Sequence, residues 1–201
     1  MDSLKKILVP TNLSVESLSV IQYALHQFKG YAFEITLLNI LPLPDSISDL
    51  LMLPRQSEEN ERIPEEFSAA VGRLRLLFPL RLAEVKIEHQ YGISSSILDQ
   101  IMDDKQIDLI LHCRPQQKAK LSSAEEKLYK LLDESPYPLV YIPERSTISH
   151  LKNISFIIEE GSDSVGLLKE MLTHLHVDSQ TEVKLLAGLD IGKVPSLILQ
   201  F

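Results

Sequence analysis

Three small groups of side chains in the sequence are of types that carry out chemistry. His112 and Cys113 place a base beside a thiol nucleophile. Neighbouring residues at a strand end point to opposite faces of a sheet, so this pair is interpreted as a bystander thiol beside an unconnected histidine. His174, His176 and Asp178 are metal-ligand types. Positions two apart diverge on a helix and no second ligand cluster accompanies them, so no metal site is predicted.

The third group is the serine run Ser94, Ser95 and Ser96, which follows Gly92 at a predicted helix start. These hydroxyls could hold a phosphate, but hydroxyls at a helix start usually cap the helix, and capping is the preferred interpretation. Beyond these groups the sequence has no Ser-His-Asp order, no metal-ligand spacing and no paired catalytic carboxylates. We therefore predict no catalytic residue and no enzyme activity.

The composition excludes several classes of partner. The chain has 201 residues, a formal net charge of -8 and no block of Lys and Arg, which argues against a nucleic-acid partner. The single cysteine, Cys113, allows no internal disulfide and favours the reducing cytoplasm. No apolar run approaches the roughly 20 residues that span a bilayer, so no membrane association is expected.

Strand-like apolar runs alternate with helix-like stretches, a pattern typical of an α/β protein with a mainly parallel sheet. Five strands are predicted at Lys5–Val9, Phe33–Ile40, Ala83–His89, Gln106–His112 and Leu139–Ile142. Four helices are predicted at Ser14–Phe28, Pro64–Leu77, Ser96–Asp104 and Ser123–Leu132. Residues 42–63 form a long loop, interpreted as a solvated linker in preference to a lid that closes on a ligand.

The same pattern begins again after Pro143 and predicts an internal repeat. Its elements are a strand Asn153–Ile158, a turn at Gly161, a helix Ser164–Leu175, a strand Glu182–Ala187 and a final strand Ser196–Phe201. Too few residues remain for five strands in this second copy. We therefore predict one α/β domain at 1–146 and a shortened repeat at 147–201.

Several segments in this order resemble the universal stress protein family. They are the opening Ile7–Ser14, the strand Glu34–Ile40, the turn Tyr91–Ile93, the strand Ile107–Leu111 and the closing Pro136–Pro143. The resemblance implies a flavodoxin-like or Rossmann-like parallel sheet in the order 3-2-1-4-5, followed here by a truncated α/β repeat. It also implies a ligand site where the winding reverses, between Pro10–Asn12 and His112–Pro115.

Members of this family that bind ATP resemble one another in a Gly-x2-Gly-x9-Gly-Ser/Thr motif after the fourth strand. Aligned with that motif, this sequence has His112, Pro115, Glu125 and Glu126 at the three glycines and the hydroxyl residue, while Asn12 replaces a common aspartate. Proline has no N–H to donate, and two carboxylates repel a triphosphate. The resemblance therefore implies a degenerate nucleotide site, with no cofactor bound.

The two glutamates also have a structural interpretation. Ser122 with Glu125, and Ser123 with Glu126, both match the capping-box pattern that opens a helix. On this interpretation Glu126 stabilises the helix start through a backbone donor.

The preferred hypothesis is a non-catalytic, stress-response-like protein that acts through protein–protein association with an unknown protein partner. The alternative is a sensor of adenine nucleotide or a small metabolite, using Asn12, the backbone near Asn39 and Ile40, and a rearranged 113–123 loop. The resemblance also implies a homodimer or larger assembly, because relatives pair the fifth strand, Leu139–Ile142, across a two-fold axis. The apolar ending 197–201 predicts a strand in this chain's own sheet or a neighbour's.

Overall fold

The computed structural model describes residues 3–28, 30–53, 62–114, 121–143, 153–157, 182–186 and 197–200. The strands are β1 Ser3–Pro10, β2 Tyr31–Leu41, β3 Leu82–Tyr91, β4 Leu109–Arg114, β5 Leu139–Pro143, β6 Asn153–Ile157, β7 Glu182–Leu186 and β8 Leu197–Gln200. The helices are α1 Ser19–Gln27, α2 Ile47–Leu51, α3 Glu65–Leu77, α4 Ser95–Lys105 and α5 Ser123–Asp133, with a 3₁₀ turn Val15–Leu18 before α1.

All eight strands form one sheet in the order β3-β2-β1-β4-β5-β8-β6-β7. The first five are parallel and have the predicted order 3-2-1-4-5, with β1 at the centre between β2 and β4. The predicted α/β fold class is therefore confirmed. Helices cover both faces of these five strands, as an all-parallel sheet requires.

Helices α1 and α3 cover one face of the sheet, and α4 and α5 cover the other. The α1 face buries Ile7, Val9, Ile21, Leu25, Phe28, Phe33 and Phe67. The opposite face buries Leu8, Leu38, Leu98, Met102, Ile110, Leu128 and Leu132. Successive residues of β1 thus enter different cores, which explains the uninterrupted apolar runs in the central strands.

Two predicted boundaries differ from the structure. The fourth strand begins at Leu109 rather than Gln106, because Gln106 ends α4 in the left-handed conformation with φ of 54°. Ile107 still belongs to that helix end, since its N–H donates to the Met102 carbonyl at 2.9 Å. The predicted helix Ser14–Phe28 begins as the 3₁₀ turn, which Ser14 caps by accepting from the Ser17 N–H.

Arg81 fixes the end of α1 to the start of β3. Its Nε donates to the Tyr31 carbonyl at 3.1 Å, and its two terminal nitrogens donate to the carbonyls of Leu25 and Phe28. The last carbonyls of a helix have no partner within the helix, so a guanidinium there satisfies them and complements the helix dipole.

The long loop predicted over 42–63 contains a short helix, α2, within its described part 42–53. Ser46 caps α2 by accepting from the Asp49 N–H at 3.1 Å, and no residue of α2 is buried. The entry to α2 is fixed by Leu43, whose Cδ1 would lie 2.7 Å from a Cβ placed on Gly92. Gly92 has φ of +66°, a backbone conformation that favours glycine.

The described part of the second half consists of β6, β7 and β8. Strand β6 is parallel to β7 and to β8, whereas β8 is antiparallel to β5, with Val140 opposite Leu199. The final strand therefore lies in this chain's own sheet, one of the two predicted placements. Strand β8 thus occupies the edge of β5 that the resemblance implies is paired across a two-fold axis. The predicted turn at Gly161 and helix Ser164–Leu175 lie outside the described residues.

Candidate functional site

An open cleft of about 450 Å³ lies beyond the carboxyl ends of β1 and β4. It is lined by Pro10, Thr11, Asn12, Ser14, Glu16, Ser17, Ser19, Val20, His112, Cys113 and Tyr129. The winding of the sheet reverses between these two strands, and ligands of open α/β sheets bind at such a point. The structure thus places Asn12, His112 and Cys113 together, as the sequence predicted.

The β1 wall of the cleft is a loop held by its own hydroxyl groups. The Thr11 N–H donates to the Leu38 carbonyl at 2.9 Å, which ties the loop to β2. The Thr11 and Ser17 hydroxyls are 2.7 Å apart, and the Leu13 N–H donates to Thr11 Oγ1 at 3.0 Å. Leu13 has φ of 60°, a conformation that costs energy for a side-chain-bearing residue and that these bonds maintain.

Asn12 takes part in the same loop. Its Oδ1 accepts from the Ser14 N–H at 3.1 Å, the pattern of an Asx turn, while the residue as a whole is exposed. An asparagine oxygen makes this bond as an aspartate would, but without the charge. Asn12 therefore has a structural role on the cleft wall.

The β4 wall is built around His112, which is only 3% exposed. Its ring centroid lies 4.3 Å from that of Tyr129 on α5 and 5.8 Å from that of Tyr141 on β5. Tyr141 donates its hydroxyl hydrogen to the Asp133 carboxylate at the end of α5. The aromatic contacts hold a large ring at the end of β4, at the position that the resemblance aligned with a glycine.

Cys113 points away from His112, as predicted. It packs against the core on the α1 face, whereas His112 contacts side chains on the α5 face. The two residues border one cleft from opposite sides of a strand end. The interpretation of Cys113 as a bystander thiol rather than half of a nucleophile–base pair is consistent with this geometry.

The first turn of α5 contains a complete capping box. The Ser122 N–H and hydroxyl both donate to Glu125 Oε2, at 2.8 and 2.7 Å, and the Glu125 N–H donates to Ser122 Oγ at 3.2 Å. The second predicted box, Ser123 with Glu126, is wrong. With Ser122 as N-cap, the Glu126 N–H already donates to the Ser122 carbonyl at 3.0 Å, so its exposed carboxylate has no capping task.

Tyr129 links the capping box to the cleft. Burial, and to a smaller extent the charges of Glu125 and Cys113, raise the pKa of its hydroxyl to about 12. Tyr129 is therefore a neutral hydrogen-bond donor at physiological pH. The sequence analysis missed it, although its position one helical turn after Glu125 was a usable signal.

A pair of buried polar side chains lies at the ends of β2 and β3. Asn39 Nδ2 and His89 Nδ1 are 3.1 Å apart, and both residues are less than a tenth exposed. The sequence analysis considered only the backbone near Asn39 and Ile40. The signal for the side-chain pair was a polar residue at a core-facing strand position in each of two neighbouring strands.

The remaining predicted residues either have other roles or lie outside the described chain. Ser94 caps α4 by accepting from the Ile97 N–H at 3.3 Å, as predicted. Pro115 and the group His174, His176 and Asp178 lie outside the described residues. Within the part of the chain that is described, no three His, Cys, Asp or Glu side chains come together, and no helix is long and apolar enough to cross a membrane.

A solved structure with the same architecture is that of a universal stress protein from Archaeoglobus fulgidus DSM 4304. It is 10% identical to this chain, has a TM-score of 0.51, and the similarity covers 97% of this chain and 95% of that one. The chain has the universal stress protein fold. The predicted resemblance is thereby confirmed at the level of the fold.

Two further universal stress protein structures are similar over a shorter part of the chain. The universal stress protein UspA from Lactobacillus plantarum is 18% identical, with 70% of this chain and 97% of that one covered and a TM-score of 0.43. A universal stress protein in complex with cAMP is 15% identical, with coverages of 71% and 98% and a TM-score of 0.40. No protein-family model and no curated protein matches the sequence.

Proposed function

We propose that this chain is a non-catalytic universal stress protein of the cytoplasm that acts through protein–protein association and has lost the family's nucleotide site. The observation that most directly supports loss of the nucleotide site is the capping box at the start of α5. A helix start attracts a phosphate through its free N–H groups and its positive dipole end. Here the Glu125 carboxylate already accepts the Ser122 N–H at 2.8 Å.

Electrostatics at this helix start support the loss of the site. Glu125 lies close enough to the cleft for its charge to raise the pKa of Tyr129, which lines it. A like-charge contact at about 4 Å costs roughly 1 kcal/mol in water and about 4 kcal/mol at a partly shielded site. A triphosphate that approached the start of α5 would meet repulsion of this kind from Glu125.

Sterics at the end of β4 support the same conclusion. A glycine at the position of His112 would let a ligand approach the backbone closely. The His112 ring, in contact with Tyr129 at 4.3 Å between centroids, occupies that position instead. His112 and Cys113, the imidazole and the thiol of the cleft, face opposite cores and so do not form a base–nucleophile pair, which supports a non-catalytic role.

Calorimetric titration with Mg-ATP tests the proposal. We expect no heat of binding at micromolar to millimolar nucleotide. A dissociation constant in the low micromolar range, equivalent to about -8 kcal/mol, would overturn it. Titration with cAMP under the same conditions extends the test to a nucleotide with a single phosphate.

The cleft itself favours a second candidate, a sensor of a small metabolite. Its volume of about 450 Å³ falls within the range of ligand pockets, and the residues that line it include the exposed, polar Asn12 and Glu16. Native mass spectrometry of freshly purified protein separates the two candidates. A bound small molecule at near-stoichiometric occupancy supports the sensor, whereas an unmodified chain mass supports the association protein.

A further inference from the structure

Strand β3 is the end strand on one side of the sheet, since β2 is its only neighbour among the described strands. The β3 edge, meaning the backbone groups of Leu82–Tyr91 that face away from β2, is of the kind with which a strand of another chain can pair. Proteins usually keep such edge strands short, whereas β3 has 10 residues against a common strand length of about 5–6. A strand of this length needs protection against pairing with other chains.

The hydrogen bonds of the sheet show which residues of β3 face this edge. The Gly92 N–H, directly after β3, donates to the Leu41 carbonyl of β2 at 2.8 Å. The pairing with β2 is unbroken from Glu84 to Tyr91, and successive residues of a strand direct their backbone groups to alternate sides. Val85 lies an odd number of residues before Gly92, so its carbonyl faces away from β2, at the β3 edge.

Arg75 on α3 binds this carbonyl. Its Nη2 donates to the Val85 oxygen at 2.8 Å from the last turn of α3. Leu74 on α3 and Val85 belong to the same buried core, so the packing of α3 on the sheet sets the position of the guanidinium at the strand. A hydrogen bond from a charged donor is stronger than one between neutral backbone groups, and an incoming strand would have to break it. Arg75 therefore opposes pairing at Val85.

The charged side chains of β3 do not by themselves exclude a second copy of the strand. Lys86 lies between Glu84 and Glu88 in the sequence, and its Nζ is 2.8 Å from Glu84 Oε2. If a second β3 pairs antiparallel with the two-fold axis at Ile87, Lys86 of each copy lies opposite Glu88 of the other. Opposite charges across two strands are favourable, so the charges permit β3 to pair with β3.

We propose that Arg75 keeps the β3 edge from pairing with the β3 edge of a second copy. Strand β8 occupies the edge of β5, so Arg75 protects the other end of the five parallel strands. This contact acts independently of the cleft and goes beyond the proposed function, because it concerns a surface that the fold keeps out of association.

Removal of the guanidinium is the first test. Arg75→Ala should form species larger than the wild type at about tenfold lower protein concentration, because a hydrogen bond from a charged donor shifts an equilibrium by about that factor or more. Size exclusion with light scattering over a series of protein concentrations measures this shift. The matched control is Arg73→Ala, which removes an exposed arginine from the same helix, keeps the bond to Val85 and should behave as the wild type.

A charge change on β3 is the sharper test, because it predicts a rescue. Lys86→Glu makes the charged side chains between Glu84 and Glu88 uniformly negative, so two copies of the strand repel each other. Arg75→Ala combined with Lys86→Glu should therefore recover the association behaviour of the wild type. Lys130→Glu makes the same change of charge at an exposed position on α5, and in the Arg75→Ala background it should give no rescue.

Two measurements separate pairing at the β3 edge from a general loss of stability. Ser122→Ala weakens the start of α5 and should not promote association. In the associated Arg75→Ala protein, amide hydrogen exchange should become slower within 82–91 than in the single chain. Circular dichroism verifies that each variant is folded, and Arg75→Gln, which also loses the charged donor, should shift association in the same direction as Arg75→Ala.

The outcomes separate the role of Arg75 from the proposed function. Arg75 variants that associate no more than the wild type, an equal increase in Ser122→Ala, slower exchange only outside 82–91, or no rescue by Lys86→Glu would each overturn the role of Arg75. An ATP-binding protein whose association follows these predictions would overturn the proposed function and leave the role of Arg75 standing.

Discussion

Helices α4 and α5 begin at the same edge of the sheet and cover the same face, yet their first turns differ in charge. The start of α4 is capped by the Ser94 hydroxyl and has no acidic residue in its first turn. The start of α5 has Glu125 and Glu126 in its first turn and a complete capping box. One helix start keeps its positive end open to solvent, and the other carries its own anion.

This difference shows the physical effect of having glutamates at the motif positions in the first turn of α5. A helix start that serves a phosphate must leave its N–H groups free, whereas one that serves only the fold gains from satisfying them internally. Glu125 satisfies a backbone N–H at the start of the helix internally, and its charge makes the same place unfavourable for a phosphate. Stability and nucleotide binding are thus alternatives at this position.

The largest expected effect concerns alkaline pH and the tyrosine on α5. Burial raises the pKa of Tyr129 and of Tyr23 from 10.0 to about 12. The folded chain holds these protons more tightly than the unfolded chain, so stability is full below about pH 10 and is lost as the pH rises toward 12. Because solvent partly screens these half-buried groups, we expect a loss of up to about 2 kcal/mol per tyrosine, measured by urea unfolding across this range.

Single substitutions of the tyrosines show which side chain causes the loss of stability at alkaline pH. Tyr129→Phe should remove its share of the alkaline destabilisation. Tyr137 is half-buried and donates its hydroxyl hydrogen to Asp99 on α4 at 3.1 Å. Burial and this hydrogen bond raise its pKa as well, but by less than that of Tyr129, so Tyr137→Phe should remove a smaller share of the alkaline loss. Equal effects of the two substitutions would contradict the assignment of the shift to burial on α5.

The next effect compares the two N-caps. Ser122→Ala removes an acceptor of the Glu125 N–H and a donor to its carboxylate, and should destabilise the fold by about 1–2 kcal/mol. Ser94→Ala removes a single acceptor, 3.3 Å from the Ile97 N–H, and should cost less, about 0.5–1 kcal/mol. Urea midpoints measured side by side decide the order, and a larger cost at Ser94 would show that the capping box adds nothing.

A smaller effect separates the two glutamates. Glu125→Ala should destabilise the chain by about 1 kcal/mol, because the Ser122 N–H loses its partner. Glu126→Ala should change the unfolding free energy by less than about 0.5 kcal/mol, as an exposed side chain without a capping task. Indistinguishable urea midpoints for the two variants would remove the structural explanation of Glu125.

The smallest effect is expected from adding an acidic residue to the first turn of α4, as α5 already has. Ser95→Glu places a carboxylate in the first turn of α4 and should stabilise the chain by about 0.3–1 kcal/mol at low ionic strength. The gain should shrink in high salt, since the charge is exposed. A gain that does not depend on salt would point to a new hydrogen bond instead of the helix dipole.

The sequence predicted the five parallel strands because each is a short run between turn signals, mostly apolar, with apolar and charged residues alternating in the third. It also predicted the Ser122–Glu125 box, because a capping box is a local pattern over four residues. The contact of His112 with Tyr129 was missed, because it joins a strand and a helix that only the folded chain brings together. The same reason applies to β8, since nothing local to 197–200 specifies β5 as its neighbour.

Helix α2 was missed for a different reason. Its five residues lie between the prolines of a polar segment, and a helix of that length produces almost no periodic signal. Its Ser46 cap is visible in the sequence only once the helix is known. The prediction that Glu126 caps α5 was wrong for the opposite reason, since the sequence offered a pattern that the structure does not use. The two capping-box patterns overlap, and only one can form because a helix has a single N-cap residue, here Ser122.

The position of β8 between β5 and β6 also determines the order in which the sheet can assemble. Strands β5 and β6 are close in sequence but are not paired, and β8 joins them through residues such as Ile198, opposite both Tyr141 and Ser155. Until this late strand pairs, β5 has a bare backbone edge, and among the described strands nothing else pairs β6 and β7 with the first five. Closing that long loop carries an entropy penalty and slows the step. We therefore expect a folding intermediate with five strands in place, and its aggregation to be the main competitor of correct folding at high protein concentration.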